Sequence, residues 1–252
     1  MGDKTKIEWA DATWNPVTGC TPISAGCEHC YAKRQAEQMQ RQGIEKYRNG
    51  FSVTVHLDEM DRPKRWKKGR RIFVCSMGDL FHERVPGQTI LIVFDVMREC
   101  PQHTFMVLTK RAQRMALELH GMDVPSNVWV GTTVENGRAS LRLYSLGEVS
   151  AAVRFVSFEP LLENLAGAYL PDALDRAHID WVIVGGETGP GARPMEKSWV
   201  IPLRDYCQQR GIPFFFKNWG GERPWSGGRL LDGTTWDEVP EVRSAEAFHS
   251  SR

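Results

Sequence analysis

Short apolar runs alternate with amphipathic stretches along the chain from residue 71 onwards. Each run ends in small polar residues, and most are followed by a stretch with helical spacing. Unbroken apolar runs of this length are typical of parallel strands that are buried on both faces. The predicted strands are Ile72–Cys75, Thr104–Leu108, Val128–Val130, Val153–Val156, Trp181–Val184 and Pro213–Phe216. The predicted helices cover 31–42, 88–99, a stretch ending at His120, 137–147 and 196–210.

These six runs and an entry strand before Cys20 predict an α/β fold, a partial (β/α)6-7 TIM-like barrel of mainly parallel strands. A doubly wound open sheet is the alternative. Residues 1–218 would form the barrel with an N-terminal three-cysteine loop. Residues 219–252 are rich in Trp and Gly and would form an extension packed on the same domain, with a hairpin at Asp232-Gly233 and a frayed end.

Three of the six cysteines lie close together before the second predicted strand, in the pattern C-x6-C-x2-C. Cys20, Cys27 and Cys30 share one loop of Gly, Pro and Ser residues. Thiolates are soft ligands that suit zinc or an iron–sulfur cluster. Three are one short of the four that close a structural zinc site, whereas a four-iron cluster held by three cysteines keeps one iron open. The other three cysteines are expected to be core residues.

Composition excludes several classes of protein. The 252 residues carry a net charge of +1, with 41% hydrophobic and 25% charged residues, which is ordinary for a globular protein. No stretch approaches the roughly 18 apolar residues that span a membrane. The N-terminus lacks the apolar run of a signal peptide, and the cysteines do not form a disulfide framework. We therefore expect no membrane partner and a cytoplasmic location.

One basic segment, 62–71, holds seven basic residues in ten. It is either a solvated loop before a strand or a contact for nucleic-acid phosphates. In the second case Arg65 would contact the substrate and Trp66 would stack on a base.

A charge or an amide follows the small polar residues after most apolar runs. Because the carboxyl ends of parallel barrel strands meet on one rim, these side chains are expected to converge with the cysteine loop. Any single one could instead be a helix cap or turn residue. His29 lies inside the C-x2-C step and would pack beside the metal, while His82 is expected to be structural. The rim residues are Asp79, Lys110, Glu135, Asn136, Glu159, Glu187, Lys217 and Asn218.

Three clustered cysteines ending in C-x2-C, after the first strand of a partial barrel, resemble the radical S-adenosylmethionine superfamily. Nearly all of residues 5–240 is similar to an uncharacterised, largely phage-encoded three-cysteine family. The likeness is carried by Thr13–Cys20, Ser76–His82, Leu108–Arg111, Ser157–Leu161, Gly185–Gly191 and Phe216–Gly220.

The resemblance implies that Cys20, Cys27 and Cys30 hold a [4Fe–4S] cluster whose open iron binds S-adenosyl-L-methionine. Reduction by a flavodoxin- or ferredoxin-type electron donor would cleave this cofactor to methionine and a 5′-deoxyadenosyl radical, which abstracts hydrogen from a substrate. Lys110, Lys217, Arg65 and Trp66 are the candidate substrate contacts. The candidate cofactor contacts are His29, Tyr31, Asp79, Thr132, Glu135, Glu159, Gly185, Gly186 and Glu187.

The chain departs from the superfamily pattern in two places. The usual spacing is C-x3-C-x2-C, and the usual Gly-Gly-Glu contact to the methionine amino group follows the second strand. Here Ser76–Asp79 occupies that place, and Gly185-Gly186-Glu187 comes much later. Asp79 would then take the amino group, with Gly185 and Gly186 near the adenine or the carboxylate.

Two other functions stay open. A non-catalytic phage accessory protein would bind zinc through the three cysteines and His82 or Cys75, and nucleic acid through 62–71. A hydrolase would use the rim carboxylates and leave the cysteines unexplained. The basic segment favours nucleic acid or a nucleotide over a peptide as substrate, and the sequence does not predict the oligomeric state.

Overall fold

One parallel sheet organises the chain in the computed structural model, which describes residues 5–165, 167, 169–223 and 226–241. Trp225 and the predicted frayed end at 242–252 lie outside these residues. Within the described ranges seven strands form this sheet and two form a small one. The strands are β1 (Ala12–Trp14), β2 (Val17–Thr18), β3 (Thr54–Val55), β4 (Arg71–Val74), β5 (Thr104–Thr109), β6 (Val128–Thr133), β7 (Val153–Phe158), β8 (Trp181–Gly185) and β9 (Phe214–Asn218).

The order of the strands in the large sheet is the order of the chain, β1-β4-β5-β6-β7-β8-β9, and every neighbouring pair is parallel. A doubly wound sheet requires a point at which this order reverses. Since the order does not reverse, the sheet curls in one direction into a half-barrel. The predicted partial barrel is confirmed, and the open-sheet alternative is wrong.

The apolar runs are unbroken because both faces of the sheet are buried. Side chains alternate along a strand, so every second residue faces the concave side. Aromatic residues fill the concave face, where the rings of Trp129 and Trp181 lie 5.9 Å apart and those of Trp181 and Phe215 lie 6.2 Å apart. The convex face carries both aliphatic and aromatic residues, such as Val107, Val182 and Phe214, which pack in the cluster that contains the helices.

Helices follow the strands at the predicted positions. Tyr169–Arg176 was not predicted, because eight residues with Pro171 in the first turn show too little of the helical period. Among the described residues, no helix has the length and apolar character to cross a bilayer. The helices are α1 (Tyr31–Arg41), α2 (Gly87–Arg98), α3 (Ala112–Leu119), α4 (Arg142–Gly147), α5 (Tyr169–Arg176) and α6 (Lys197–Arg210).

The small sheet fixes the start of the cysteine loop. Its strands β2 and β3 are antiparallel, and β2 runs directly into Gly19. Gly19 has φ +85°, and a Cβ there would lie 2.3 Å from the Ser52 carbonyl oxygen. Its amide donates to Met77 O at 2.8 Å, so the backbone before Cys20 is held against the loop after β4.

The C-terminal tail covers the free edge of β9. Phe216 N donates to Trp236 O at 2.9 Å, and Phe215 pairs with Asp237 in an antiparallel bridge. The predicted hairpin is confirmed, because Asp232 and Gly233 both have positive φ, as a type I′ turn requires. Covering an edge strand in this way blocks its pairing with another chain.

Candidate functional site

A cavity of about 660 Å³ opens at the carboxyl ends of the strands. All three clustered cysteines line it, together with Thr133, Ser157 and other residues from the strands. Its volume falls in the range of roughly 300–1,000 Å³ that is typical of small-molecule sites. The predicted convergence of the cysteine loop with the strand ends is present in the structure.

Each clustered cysteine has a different local backbone. Cys20 follows Gly19, Cys27 ends a short 3-10 helix at Ala25–Cys27, and Cys30 directly precedes α1. All three are free thiols of intermediate exposure, whereas Cys75, Cys100 and Cys207 are buried, as expected for core residues.

The donor atoms do not form a site for a single metal ion. Within the described part of the chain, no group of three or more Cys, His, Asp or Glu side chains has the geometry for one ion. His82 Nε2 lies 2.8 Å from Thr21 Oγ1, and its Nδ1 accepts from Arg84 N at 3.1 Å, so both its nitrogens are engaged. Cysteines that hold an iron–sulfur cluster bind different irons and need not converge on one point. The residues therefore fit a cluster better than a zinc ion.

Arg111 holds the first cysteine. Its Nη1 donates to Cys20 Sγ at 3.2 Å and its Nη2 donates to Thr21 O at 3.1 Å. Asp79 accepts from the same guanidinium at 3.0 Å and from Thr109 Oγ1 at 2.7 Å. Burial and the nearby Asp79 carboxylate raise the pKa of the Cys20 thiol to about 11, although Arg111 opposes them. A metal ligand here must lose that proton on binding.

Arg193 holds the other side of the loop. It donates to Glu28 Oε2 at 3.1 Å and to Ala25 O at 2.9 Å. Glu187 in turn accepts from Arg193 N at 3.0 Å and from Arg193 Nε at 2.8 Å. Burial opposes the ionisation of Glu187, but the hydrogen bonds from Arg193 outweigh it and hold the pKa of Glu187 below its usual value.

Glu135 supports the loop from below. It is fully buried, and Arg142 Nη1 donates to its Oε2 at 2.7 Å. A Cβ on Gly26 would lie 3.2 Å from the Glu135 side chain, so the loop rests directly on this carboxylate. Burial would raise the pKa of Glu135, but Lys110 and Arg142 outweigh it and lower the pKa.

Asp79, Glu135 and Glu187 therefore hold arginines or support the loop, while the fourth rim carboxylate, Glu159, pairs with Lys217. Asp79 and Glu187 line the cavity and Glu135 does not, and a cofactor contact by Glu135 stays a prediction. Arg111 and Arg193 were not predicted, because only the first charges and amides after each strand were considered and not the bases that would pair with the acids. The available signal was that buried carboxylates need partners.

Three further candidates are also explained by packing. Thr132 is fully buried, and its hydroxyl donates to Thr109 O at 2.9 Å, away from the cavity. Gly186 lines the cavity, but a Cβ on it would lie 2.3 Å from Trp219 O. A glycine is therefore required at this position, because a side chain would clash with the neighbouring backbone. Gly185 does not line the cavity.

The remaining rim candidates lie at the cavity. His29 and Tyr31 line it, and the Tyr31 hydroxyl donates to Ser76 O at 2.6 Å. Lys110 lines it as well, and Lys217 lines it as an ion pair with Glu159.

The basic segment lies at the opposite end of the barrel. It precedes β4, and Thr104 N donates to Arg70 O at the start of β5. Trp66 is 8% exposed, and the guanidinium of Arg70 lies 4.9 Å from its ring centre. Arg70 therefore lies beside the buried Trp66 ring, and neither Trp66 nor Arg65 lines the cavity, so stacking of a base on Trp66 stays a prediction. Phosphate binding by the exposed part of 62–71 stays a prediction.

Comparisons with known proteins agree with this architecture. A model for a family described as "Protein of unknown function (DUF5131)" matches residues 4–240. No curated protein matches the chain. Among solved structures, spore photoproduct lyase complexed with dinucleoside spore photoproduct is similar, with a TM-score of 0.53 and 11% identity over 88% of this chain and 79% of that chain. A mutant of the same enzyme with bound AdoMet and dinucleoside spore photoproduct gives 0.51 and 10% over 86% and 78%. These likenesses establish the fold.

Proposed function

This chain belongs to the DUF5131 family of proteins of unknown function, and we propose that it is a radical S-adenosylmethionine enzyme. The observation that carries the proposal is the position of three free thiols at one cavity on the carboxyl rim of a half-barrel. Spore photoproduct lyase, which shares this fold, is a radical S-adenosylmethionine enzyme. Its mutant structure contains AdoMet.

Cys20, Cys27 and Cys30 would hold the [4Fe–4S] cluster, which supplies the electron that cleaves S-adenosylmethionine. The protein's own part is to bind and orient the cofactor and the substrate and to exclude water from them. Arg111 and Arg193 position the cysteine loop from two sides, and the half-buried cavity beneath it limits access of solvent to the reacting atoms. His29 and Tyr31 lie beside the loop, where they would contact the cofactor.

A nucleotide or nucleic acid is the favoured substrate class. The similar structures contain a dinucleoside photoproduct, and Lys110 and Lys217 place two ammonium groups on the cavity wall. A flavodoxin- or ferredoxin-type protein would supply the electron.

The zinc-binding accessory protein is the second candidate. It requires a fourth ligand beside the three cysteines. Of the two candidates, His82 has both ring nitrogens engaged in hydrogen bonds, and Cys75 is a buried core residue at the cavity wall. The geometry therefore favours the enzyme.

Anaerobic reconstitution with iron and sulfide tests the proposal. We expect about four irons per chain, absorbance near ~400 nm, and 5′-deoxyadenosine after reduction in the presence of S-adenosylmethionine. Cys27→Ala should abolish all three signals. Cys207→Ala, which removes a buried thiol from the outer helix α6, should keep the iron. Retained 5′-deoxyadenosine formation in Cys27→Ala, or one tightly bound zinc in place of iron, would refute the assignment.

A further inference from the structure

Three buried polar atoms in the cavity have no hydrogen-bond partner among the described residues. They are Trp9 Nε1, Ser157 Oγ and Glu8 Oε1. Trp9 is 2% exposed and Ser157 is 1% exposed. Buried polar atoms are nearly always paired, and an unpaired one costs about 1–3 kcal/mol. Three such atoms, all on residues that line one cavity, therefore point to a ligand that supplies the missing partners.

The fold places these atoms below the cysteines. A turn at Ile7–Ala10, closed by Ala10 N donating to Ile7 O at 3.1 Å, crosses the concave face. It packs the Trp9 ring against Phe73 and Trp181, with centres 4.7 and 6.2 Å away. Ser157 lies two residues before Glu159 on β7, so its side chain faces the cavity one layer deeper than the rim. The clustered cysteines and Ser157 line the same cavity of about 660 Å³.

Carboxylates outnumber ammonium groups among the charges that interact around Lys217. Burial lowers the pKa of Lys217, but the carboxylates of Glu159, its ion-pair partner, and Glu8 outweigh burial and raise it. Burial raises the pKa of Glu8, which Lys217 opposes. One ammonium therefore faces two carboxylates, which disfavours a phosphate beside them.

We propose that Glu8, Trp9 and Ser157 form the substrate-recognition subsite and that it takes a nucleobase. The carboxylate accepts an N–H, the indole N–H donates to a carbonyl, and the hydroxyl can do either. The Trp9 and Phe73 rings, tilted by 55° to each other, give this part of the cavity an aromatic lining, which suits a planar heterocycle better than a peptide. The excess of carboxylates places the base here and its sugar or phosphate near Lys110, which also lines the cavity. The radical reaction of a base bound here rests on the proposed function, whereas the binding of the base does not.

Nucleoside binding tests the subsite. Equilibrium dialysis with guanosine, cytidine, uridine and thymidine is done on the full chain, both cluster-loaded with S-adenosylmethionine present and metal-free. Adenosine is left out because S-adenosylmethionine contains it. We expect at least one of the four to bind with a dissociation constant well below ~1 mM. Ser157→Ala and Trp9→Phe should each weaken that binding about tenfold, since each loses one hydrogen bond to a buried group.

A stability measurement separates recognition from folding. Ser157→Ala removes an atom with no partner in the described structure, so urea unfolding of the variant should match or exceed that of the wild type. The matched control Ser145→Ala, on the outer helix α4, should change neither binding nor stability. A Ser157→Ala variant that binds as tightly as the wild type would overturn the subsite, whatever its stability.

The outcomes distinguish this inference from the proposed function. If nucleosides bind in a way that depends on Ser157 but the chain assembles no cluster, the subsite is supported and the radical chemistry is refuted. If the chain forms the cluster and cleaves S-adenosylmethionine but binds none of the four nucleosides, the nucleobase subsite is refuted and the proposed enzyme activity is supported. Preferential binding of the control ligand N-acetylglycinamide would overturn the nucleobase in favour of a peptide.

Discussion

The ion pair between Asp79 and Arg111 offers the sharpest test of how the cysteine loop is held. We consider Asp79→Asn, which keeps the size of the side chain and removes its charge. The remaining amide oxygen can still accept from Thr109 Oγ1 and Phe81 N, which now donate at 2.7 and 3.0 Å. The lost interaction is therefore the hydrogen bond from Arg111 Nη1 to Oδ2, together with the charge that faces the guanidinium.

The burial of the pair sets the magnitude. The side chains of Arg111 and Asp79 are only 5% and 7% exposed. Removing one partner of a buried pair costs about 3–5 kcal/mol, because the other charge stays buried. Glu83 still pairs with Arg111, but it is 64% exposed, so solvent weakens its compensation. We expect Asp79→Asn to lower the free energy of unfolding by about 3 kcal/mol.

Urea unfolding of the metal-free chain, followed by tryptophan fluorescence, measures this loss. The matched control is Asp95→Asn, whose partner Arg98 is 45% exposed and whose pair should contribute at most about 1 kcal/mol. The double variant Asp79→Asn/Arg111→Met removes both charges. Its loss in free energy of unfolding should be smaller than the sum of the two single losses by about 2 kcal/mol.

The loop should report the same change. Because Arg111 donates to Cys20 Sγ and Thr21 O, Asp79→Asn should also lower the iron retained after reconstitution. If Asp79→Asn costs no more than Asp95→Asn, or if the double variant is strictly additive, the pair does not hold the loop and the reasoning fails.

Two further predictions concern the loop after β8. Hydrogen bonds from Arg193 hold the pKa of Glu187 below 4.5 despite burial, so its contribution to stability is complete above pH 4.5 and is lost as the pH falls through the folded pKa. In urea titrations, the free energy of unfolding of Glu187→Gln should therefore be lower than that of the wild type at about pH 7 and approach it near about pH 3. A difference in free energy that stays constant with pH would contradict this. Gly186→Ala should lower the free energy of unfolding by roughly 1–3 kcal/mol in the same measurement, because its Cβ would lie 2.3 Å from Trp219 O. The control Gly185→Ala, whose nearest contact would be 3.4 Å, should lose less stability. Equal losses would exclude the backbone clash.

The barrel could be predicted because its signal is local. Each strand is buried on both faces, so each appears as an unbroken apolar run, and the runs recur with helical stretches between them. Helix α5 was missed because Pro171 in its first turn is a typical sign of a break in a helix. The entry strand before Cys20 was predicted, and it is β1 at Ala12–Trp14.

The partners of the rim residues could not be predicted because they depend on distant contacts. Glu187 reaches Arg193 six residues away, and that arginine reaches Ala25 across 168 residues. Sequence placed these acids on the correct rim but could not show which charges they would meet. Trp66 illustrates the same limit, since a tryptophan within a basic run gives no local sign that the arginines around it cover its ring.

The long first gap of the cysteine motif has a physical explanation in these distant contacts. A short gap lets the local backbone fix the relative positions of the cysteines, but the six residues between Cys20 and Cys27 contain only a single 3-10 turn. Arg111 after β5 binds the start of this gap at Thr21, whereas Arg193 after β8 and Glu135 after β6 contact its end at Ala25 and Gly26. Since those three residues follow strands of one sheet, the sheet positions the contacts that hold both ends of the gap. The buried carboxylates that pair with the two arginines are therefore needed to keep this long gap in place.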